Sequence, residues 1–288
     1  MIRRLISICC LACCFALAAT ISLACLRIPS GEPELLLLRY GISDYPENRI
    51  REGGRGQMIP FAWDFYLIRQ GDQVILIDTG FSEQYLPGYR EMFRLTEYGE
   101  PVDLLARAGF APSDITGIIL THSHFDHAGS LPDFLQSEAI VYISEKEWRG
   151  FQAVKRDAVI RETMTALFAQ GRLRLIGADP FSVPDTSLLL EESGGHTIGS
   201  LTALYRDTER LWRFSGDECY TTDLCLAGIG LPEEACYSRE KNRAAIDRMG
   251  REYQNHDGAR IFTMHDRSGP VGGVGVYRFD GNQFLRTQ

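Results

Sequence analysis

The chain has 288 residues, of which 44% are hydrophobic and 24% charged, enough apolar side chains to fill the core of one large domain and too many for a disordered segment. Asp and Glu outnumber Lys and Arg 38 to 30, and no basic run follows Arg3 and Arg4, so a phosphate backbone finds little to bind and no nucleic-acid partner is expected.

Met1, Ile2, Arg3 and Arg4 lead into an uncharged apolar run from Leu5 to Leu26. A basic start followed by such a run has the form of an export signal or a membrane anchor. The expected organisation is therefore residues 1–26 as signal peptide or anchor and 27–288 as one folded domain, with a periplasmic, extracytoplasmic or membrane-anchored location. Cys25, after Ser22, Leu23 and Ala24, is a further candidate for lipidation. Five of the eight cysteines lie in this segment. The remaining Cys219, Cys225 and Cys236 form no disulfide framework and no zinc spacing, although a Cys225 to Cys236 bridge is conceivable.

From Phe61 the chain reads as a hairpin: FAWDFYLI, a turn at Gln70-Gly71-Asp72, and the buried strand VILID running into Thr79-Gly80. The sheet core is expected to begin here. Pro101 opens a short helix stopped at Gly109, and Ser113-Asp114 caps the approach to the apolar strand ITGIIL. A strand AIVYI, a helical stretch over Ser144 to Gln170, and four strand-like runs (LRLIG, SLLLEE, LTALYR, LWRFSGD) follow. A charged amphipathic helix from Ser238 precedes the strand RIFTM, and the tail Gly269 to Gly275 reads as a turn. Without a helix after every strand, the order suits a mixed sheet covered by helices.

The chemistry concentrates in THSHFDHAG, residues 121–129, which places three of the six histidines and Asp126 directly after an apolar strand. In an extended segment His122 and His124 point the same way and can share one metal, leaving Asp126 and His127, past the turn, to face a second. Imidazole suits zinc and similar divalent ions, and carboxylate adds charge and can bridge.

This H-x-H-x-D-H pattern resembles the metallo-β-lactamase superfamily, and the resemblance extends in order through Asp78-Thr79-Gly80, Gly195-His196-Thr197, Ser215-Gly216-Asp217 and Met264-His265-Asp266. It implies an α/β fold of mixed sheets in an αββα sandwich, with the metals at one edge. It further implies that His122, His124 and His196 hold the first ion, Asp126, His127 and His265 the second, and Asp217 both. The ions would be zinc, with iron, manganese or cobalt as alternatives. His256 has no place in the series and is expected at the surface. Where many relatives read His-Thr-Pro-Gly-His, this chain reads His196-Thr197-Ile198-Gly199-Ser200. The fold's true β-lactamases carry a cysteine where Asp217 stands, and Cys219 falls two residues too late, so penicillin hydrolysis is not expected.

Tyr220 stands three residues after Asp217, where the quorum-quenching N-acyl homoserine lactone lactonases carry a tyrosine that contacts the lactone carbonyl. Phe65-Tyr66-Leu67-Ile68 and His124-Phe125-Asp126-His127-Ala128-Gly129 are similar to that family as well. The resemblance implies a small lactone or ester substrate opened by hydroxide, with Asp126 moving a proton to the leaving oxygen and Tyr220 contacting the carbonyl. Alternatives on the same site are thioester, phosphodiester or sulfate ester hydrolysis, a mononuclear iron thiol dioxygenase, and a membrane-tethered metal or ligand binder without activity. Segments Tyr85 to Glu100 and Phe151 to Gln170 are expected to line the pocket.

Overall fold

The computed structural model describes residues 31–153, 157–267 and 271–287. In chain order the strands of a first sheet are β1 (Glu34–Pro46), β2 (Met58–Gln70), β3 (Gln73–Ile77), β4 (Glu97–Tyr98), β5 (Gly117–Ile119), β6 (Ile140–Ser144) and β7 (Leu173–Ile176). A second sheet follows with β8 (Phe181–Ser182), β9 (Leu188–Glu192), β10 (Leu201–Arg206), β11 (Leu211–Phe214) and β12 (Ala259–Phe262). The chain then returns to the first sheet as β13 (Gly275–Phe279) and β14 (Phe284–Arg286). The first sheet is ordered β14-β13-β1-β2-β3-β5-β6-β7, with β4 on β1; the second is β12-β11-β10-β9-β8. Both are mixed: β3, β5, β6 and β7 run parallel, as do β11 and β12, and the other pairs are antiparallel.

Period-two alternation in strands buried on both faces splits the apolar side chains between two cores. In β1 Leu36 and Leu38 face one core and Leu35 and Leu37 the other; in β3 the same division separates Val74 and Leu76 from Ile75 and Ile77. The core between the sheets takes Leu190, Ala203, Phe214 and Phe262 from the second sheet. The outer core of the first sheet is closed by α1 (Pro101–Arg107) and α4 (Ala158–Ala169), which contribute Leu104, Leu105, Ile160, Met164 and Leu167. Between these come α2 (Phe125–Ala128) and α3 (Glu145–Gln152), the latter capped by Ser144 Oγ, which accepts from the Lys146 and Glu147 amides. After α5 (Thr222–Leu226), α6 (Arg239–Asn255) lays Ile246 and Met249 against Ile261 of the second sheet. The layers are helix, sheet, sheet, helix, as expected.

Three expectations need correction. The core begins at β1, whose run of four leucines shows no polar alternation because both of its faces are buried. The chain beyond the glycine-rich turn adds two strands, β13 pairing with β1. The expected exported or membrane-anchored location is not upheld: among the described residues no helix is long and apolar enough to cross a membrane. The apolar run 1–26 on which that expectation rested, with Cys25, lies outside the described residues.

Candidate metal centre

The centre forms where loops leave the ends of β3, β5 and β11. At the end of β3 Asp78 takes a positive φ of 63°, costly for a residue with a Cβ. That turn aims its carboxylate at the next loop, where Oδ1 accepts from the Thr121 amide at 2.8 Å and Oδ2 from the Thr121 hydroxyl at 2.8 Å. Asp78 Oδ2 also lies 2.7 Å from His127 Nδ1. A buried carboxylate can only accept, so His127 carries its proton on Nδ1 and presents Nε2 to the cavity.

The same logic orients three more rings. His122 Nδ1 is 3.1 Å from Thr121 Oγ1, His196 Nδ1 2.8 Å from the Ala235 carbonyl, and His265 Nδ1 2.8 Å from the Ala62 carbonyl. Each ring nitrogen that donates outward leaves its partner Nε2 as a free lone pair facing inward. His124 is extended, ahead of the one-turn α2 that carries Asp126 and His127, and its Nδ1 lies 2.9 Å from His122 Nε2 and 3.1 Å from His196 Nε2. The structure thus brings His122 and His124 together as their spacing predicts.

Asp217 completes the arrangement. Its Oδ2 is 3.8 Å from His122 Nε2 and 3.5 Å from His196 Nε2, while Oδ1 is 3.1 Å from His127 Nε2 and 3.2 Å from His265 Nε2. Asp126 Oδ2 is 3.6 Å from both His127 and His265. The donors fall into two groups, His122, His124, His196 and Asp217, and Asp126, His127, Asp217 and His265, each with its atoms within 4.8 Å of one another. Gly216 makes the approach possible: its φ is +53° and a Cβ there would come 2.9 Å from Thr121 Cβ.

Whether these residues fit a metal is decided by their unmet valences. His127 Nε2, His265 Nε2 and Asp217 Oδ1 are buried and have no hydrogen-bond partner, an arrangement too costly to persist without a cation or proton among them. Burial opposes charge on His127, yet Asp217, Asp78 and Asp126 outweigh it and hold the imidazole well above its usual range. At His122 burial prevails, aided by His127 and His124, and favours the neutral ring. The donor set fits a divalent metal, and the chain has a metal-binding cluster here.

Two buried carboxylates that sequence reasoning missed hold the ligand loops. Glu147 of α3 accepts from Ser123 N and Oγ, at 3.0 and 2.5 Å, and from Thr197 Oγ1 at 2.6 Å. Glu218 accepts from Gly195 N, His196 N, Ser200 Oγ and Asn242 Nδ2 at 2.7–3.1 Å. The departure from His-Thr-Pro-Gly-His is therefore a closed loop pinned from both sides, and Ser200 serves it as an anchor. No local pattern distinguishes these glutamates from surface ones; only Glu218's position directly after Asp217 hinted at a role. His256 stays outside the centre and accepts from the Gly258 amide.

A cavity of about 570 Å³ opens over the centre between Tyr45, Phe61, Trp63, Phe93, Phe125 and Tyr220, with Arg49 also in its lining. Phe93 comes from the expected segment 85–100, and from 151–170 Phe151 and Asp157 line an adjoining cavity with His124 and His196 while α4 packs into the core; Tyr45, near the end of β1, and Arg49, in the connection to β2, were not anticipated. Tyr220 lies with its ring centroid 5.2 Å from that of His265 and 6.2 Å from that of His196. Burial, with the charges of Asp217 and Asp126, raises its phenol well above the ordinary value and keeps it protonated as a donor. Cys219 and Cys225 are joined in a disulfide and Cys236 is free, so the conceived Cys225 to Cys236 bridge is corrected: Cys219, not Cys236, lies against Cys225.

The N-acyl homoserine lactonase AiiA of Bacillus thuringiensis subsp. kurstaki is 28% identical over 220 residues, covering 70% of this chain and 80% of that one. An N-acyl homoserine lactonase of Bacillus cereus is 29% identical over 219 residues, with the same coverage. A probable metal-dependent hydrolase from Staphylococcus aureus superimposes with a TM-score of 0.71 at 18% identity, over 90% of this chain and 98% of that one, which supports the fold. The quorum-quenching dizinc lactonase AidC does so with a TM-score of 0.64 at 19% identity, over 90% and 95%. The family model described as the metallo-beta-lactamase superfamily matches residues 61–217, more than half of the sequence, and with the metal-binding cluster this establishes that the chain belongs to that superfamily and is a metal-dependent hydrolase.

Proposed function

We propose that the enzyme opens a lactone ring of the N-acyl homoserine lactone kind, using two divalent ions, most simply zinc. His122, His124 and His196 would hold one ion, Asp126, His127 and His265 the other, and Asp217 would serve both. Seven donors exceed the four of a single tetrahedral zinc. The observation that carries the two-ion reading is Asp217, whose two oxygens face the two groups separately. Bound there, such ions supply Lewis acidity and lower the pKa of a water toward neutrality, which provides hydroxide for attack on an ester carbonyl.

The chain's own residues then do the rest. The aromatic walls at Phe61, Trp63, Phe93 and Phe125 exclude water and accept an apolar substituent. The Tyr220 phenol donates a hydrogen bond to the carbonyl oxygen as negative charge builds on it. The Asp126 carboxylate, within the second donor group and in the lining of the cavity, is placed to pass a proton to the leaving alkoxide. Lactonase relatives covering most of both chains, and a tyrosine at the mouth of the centre, support lactones over other esters.

The test is turnover on a panel of N-acyl homoserine lactones, thioesters and phosphodiesters, run beside elemental analysis. Preference for a lactone by at least tenfold in kcat/KM, with about two ions per chain, is expected. A preference for another bond class would replace the substrate assignment and leave the metal centre standing.

A further inference from the structure

The disulfide lies directly beside the residue assigned to the carbonyl. Cys219 and Cys225, with Cα atoms 5.6 Å apart, are each 1% exposed and pack with Ile246, Met249 and Ile261 beneath α6. The bridge closes a loop that contains Tyr220, Thr221, Thr222, Asp223 and Leu224. Tyr220 is bonded to the first cysteine, and Asp217 stands two residues before it, so the chain passes from bridging carboxylate to phenol with no slack.

Besides the bridge, Leu224 packs against the outer core, and Glu218, directly before Cys219, is held by Gly195, His196, Ser200 and Asn242, while the loop between the cysteines makes few hydrogen bonds of its own. Ser215 Oγ donates to the Cys219 carbonyl at 3.3 Å, and the Thr222 amide donates to Asp266 Oδ2 at 2.9 Å. The five-residue α5 is too short to sustain itself, since helix nucleation is unfavourable and few bonds follow it here. The Tyr220 ring makes edge contacts with Phe61, His196 and His265 at centroid distances of 5.2–6.2 Å and among the described residues no hydrogen bond holds its phenol, so its place depends on where the backbone carries it.

From this geometry we propose that the Cys219–Cys225 disulfide is a positioning device for Tyr220, holding its phenol over the metal centre in the orientation that meets the substrate carbonyl. The inference rests on the assignment of Tyr220 to the carbonyl. A donor that acts on developing charge must stand within a few tenths of an ångström of its place, and a covalent loop closure anchored in the core limits its backbone to that range. Without the bridge, the backbone of Tyr220 is freer and its phenol departs more often from the place that meets the carbonyl. The loss then appears in the rate of the chemical step rather than in binding.

The test is a four-cornered comparison of the parent, Tyr220→Phe, the pair Cys219→Ala with Cys225→Ala, and all three changes, at matched metal occupancy. The cysteine pair is expected to lower kcat about 3- to 30-fold with KM changed less than about threefold, and to cost less than about twofold when Tyr220 is already Phe. An equal cost in both backgrounds, or none, overturns the proposal, because a merely structural bridge acts independently of the phenol. Should Tyr220→Phe alone leave kcat unchanged, the assignment of Tyr220 falls and this inference with it. Slowing by Tyr220→Phe but not by the cysteine pair overturns only this inference. If the cysteine variant does not fold, the parent and Tyr220→Phe proteins are reduced with a trialkylphosphine and alkylated. The phosphine leaves as its oxide with an oxygen from water, the two sulfurs become thiols, and the same four rates decide the matter.

Discussion

Asp78 Oδ2 lies 2.7 Å from His127 Nδ1, and this one contact turns a left-handed backbone residue into the orientation of a ring in the donor cluster. The same carboxylate holds the Thr121 amide and hydroxyl, so the ends of β3 and β5 are locked as a unit. Asp78→Asn keeps the size and removes the charge that fixes the His127 tautomer. Metal affinity at the Asp126, His127, Asp217 and His265 group is expected to drop about 10- to 100-fold. Competition against a chromophoric chelator measures it, and unchanged affinity would show that the His127 ring is oriented without Asp78.

Asp217→Ala takes both oxygens from between the two donor groups. Turnover is expected to be nearly abolished and the bound metal to fall from about two ions per chain toward one, since two dications then face each other with less compensation. Elemental analysis beside kcat checks both; two tightly held ions and retained turnover would count against the bridge.

Tyr220→Phe removes only the phenol oxygen. A drop in kcat between about 10- and 1,000-fold is expected, toward the low end because the bound ions act on the same carbonyl oxygen, and metal content is expected to stay the same. Equal kcat values at matched occupancy would falsify the role assigned to the phenol.

Glu218→Gln turns one acceptor oxygen into a donor, set either against the Gly195 and His196 amides and the Ser200 hydroxyl at Oε1 or against the Asn242 side chain at Oε2, in a pocket where Glu218 is fully buried. A loss of about 1–3 kcal/mol of stability is expected, read as the urea midpoint of the metal-loaded protein. An unchanged midpoint would mean that the loop is held chiefly by Glu147.

Removing metal with a chelator leaves Asp126 and Asp217 facing each other in a buried space. The melting temperature is expected to fall by several degrees and to recover on adding zinc in excess of its dissociation constant, as required when a ligand binds only the folded chain. Identical melting curves with and without metal would place the bound ions elsewhere.

The sequence by itself determined the donors. His122 and His124 follow a short strand, and their shared direction is set by local backbone periodicity, whereas the His127 ring is aimed by Asp78 from 49 residues away. Strands with local apolar patterns, such as those of the hairpin from Phe61, were legible for the same reason. What depends on contacts distant in sequence was not. The four leucines of β1 carry no alternation because sheets cover both faces, and β13 and β14 join the first sheet only after the chain has built the second. Glu147 and Glu218 became anchors when folding brought Ser123, Thr197, Gly195 and His196 to them across 22 to 50 residues. The pairing of Cys219 with Cys225 rather than with Cys236 was likewise a matter of tertiary packing, since the cluster under α6 buries those two sulfurs together while spacing alone allows either partner.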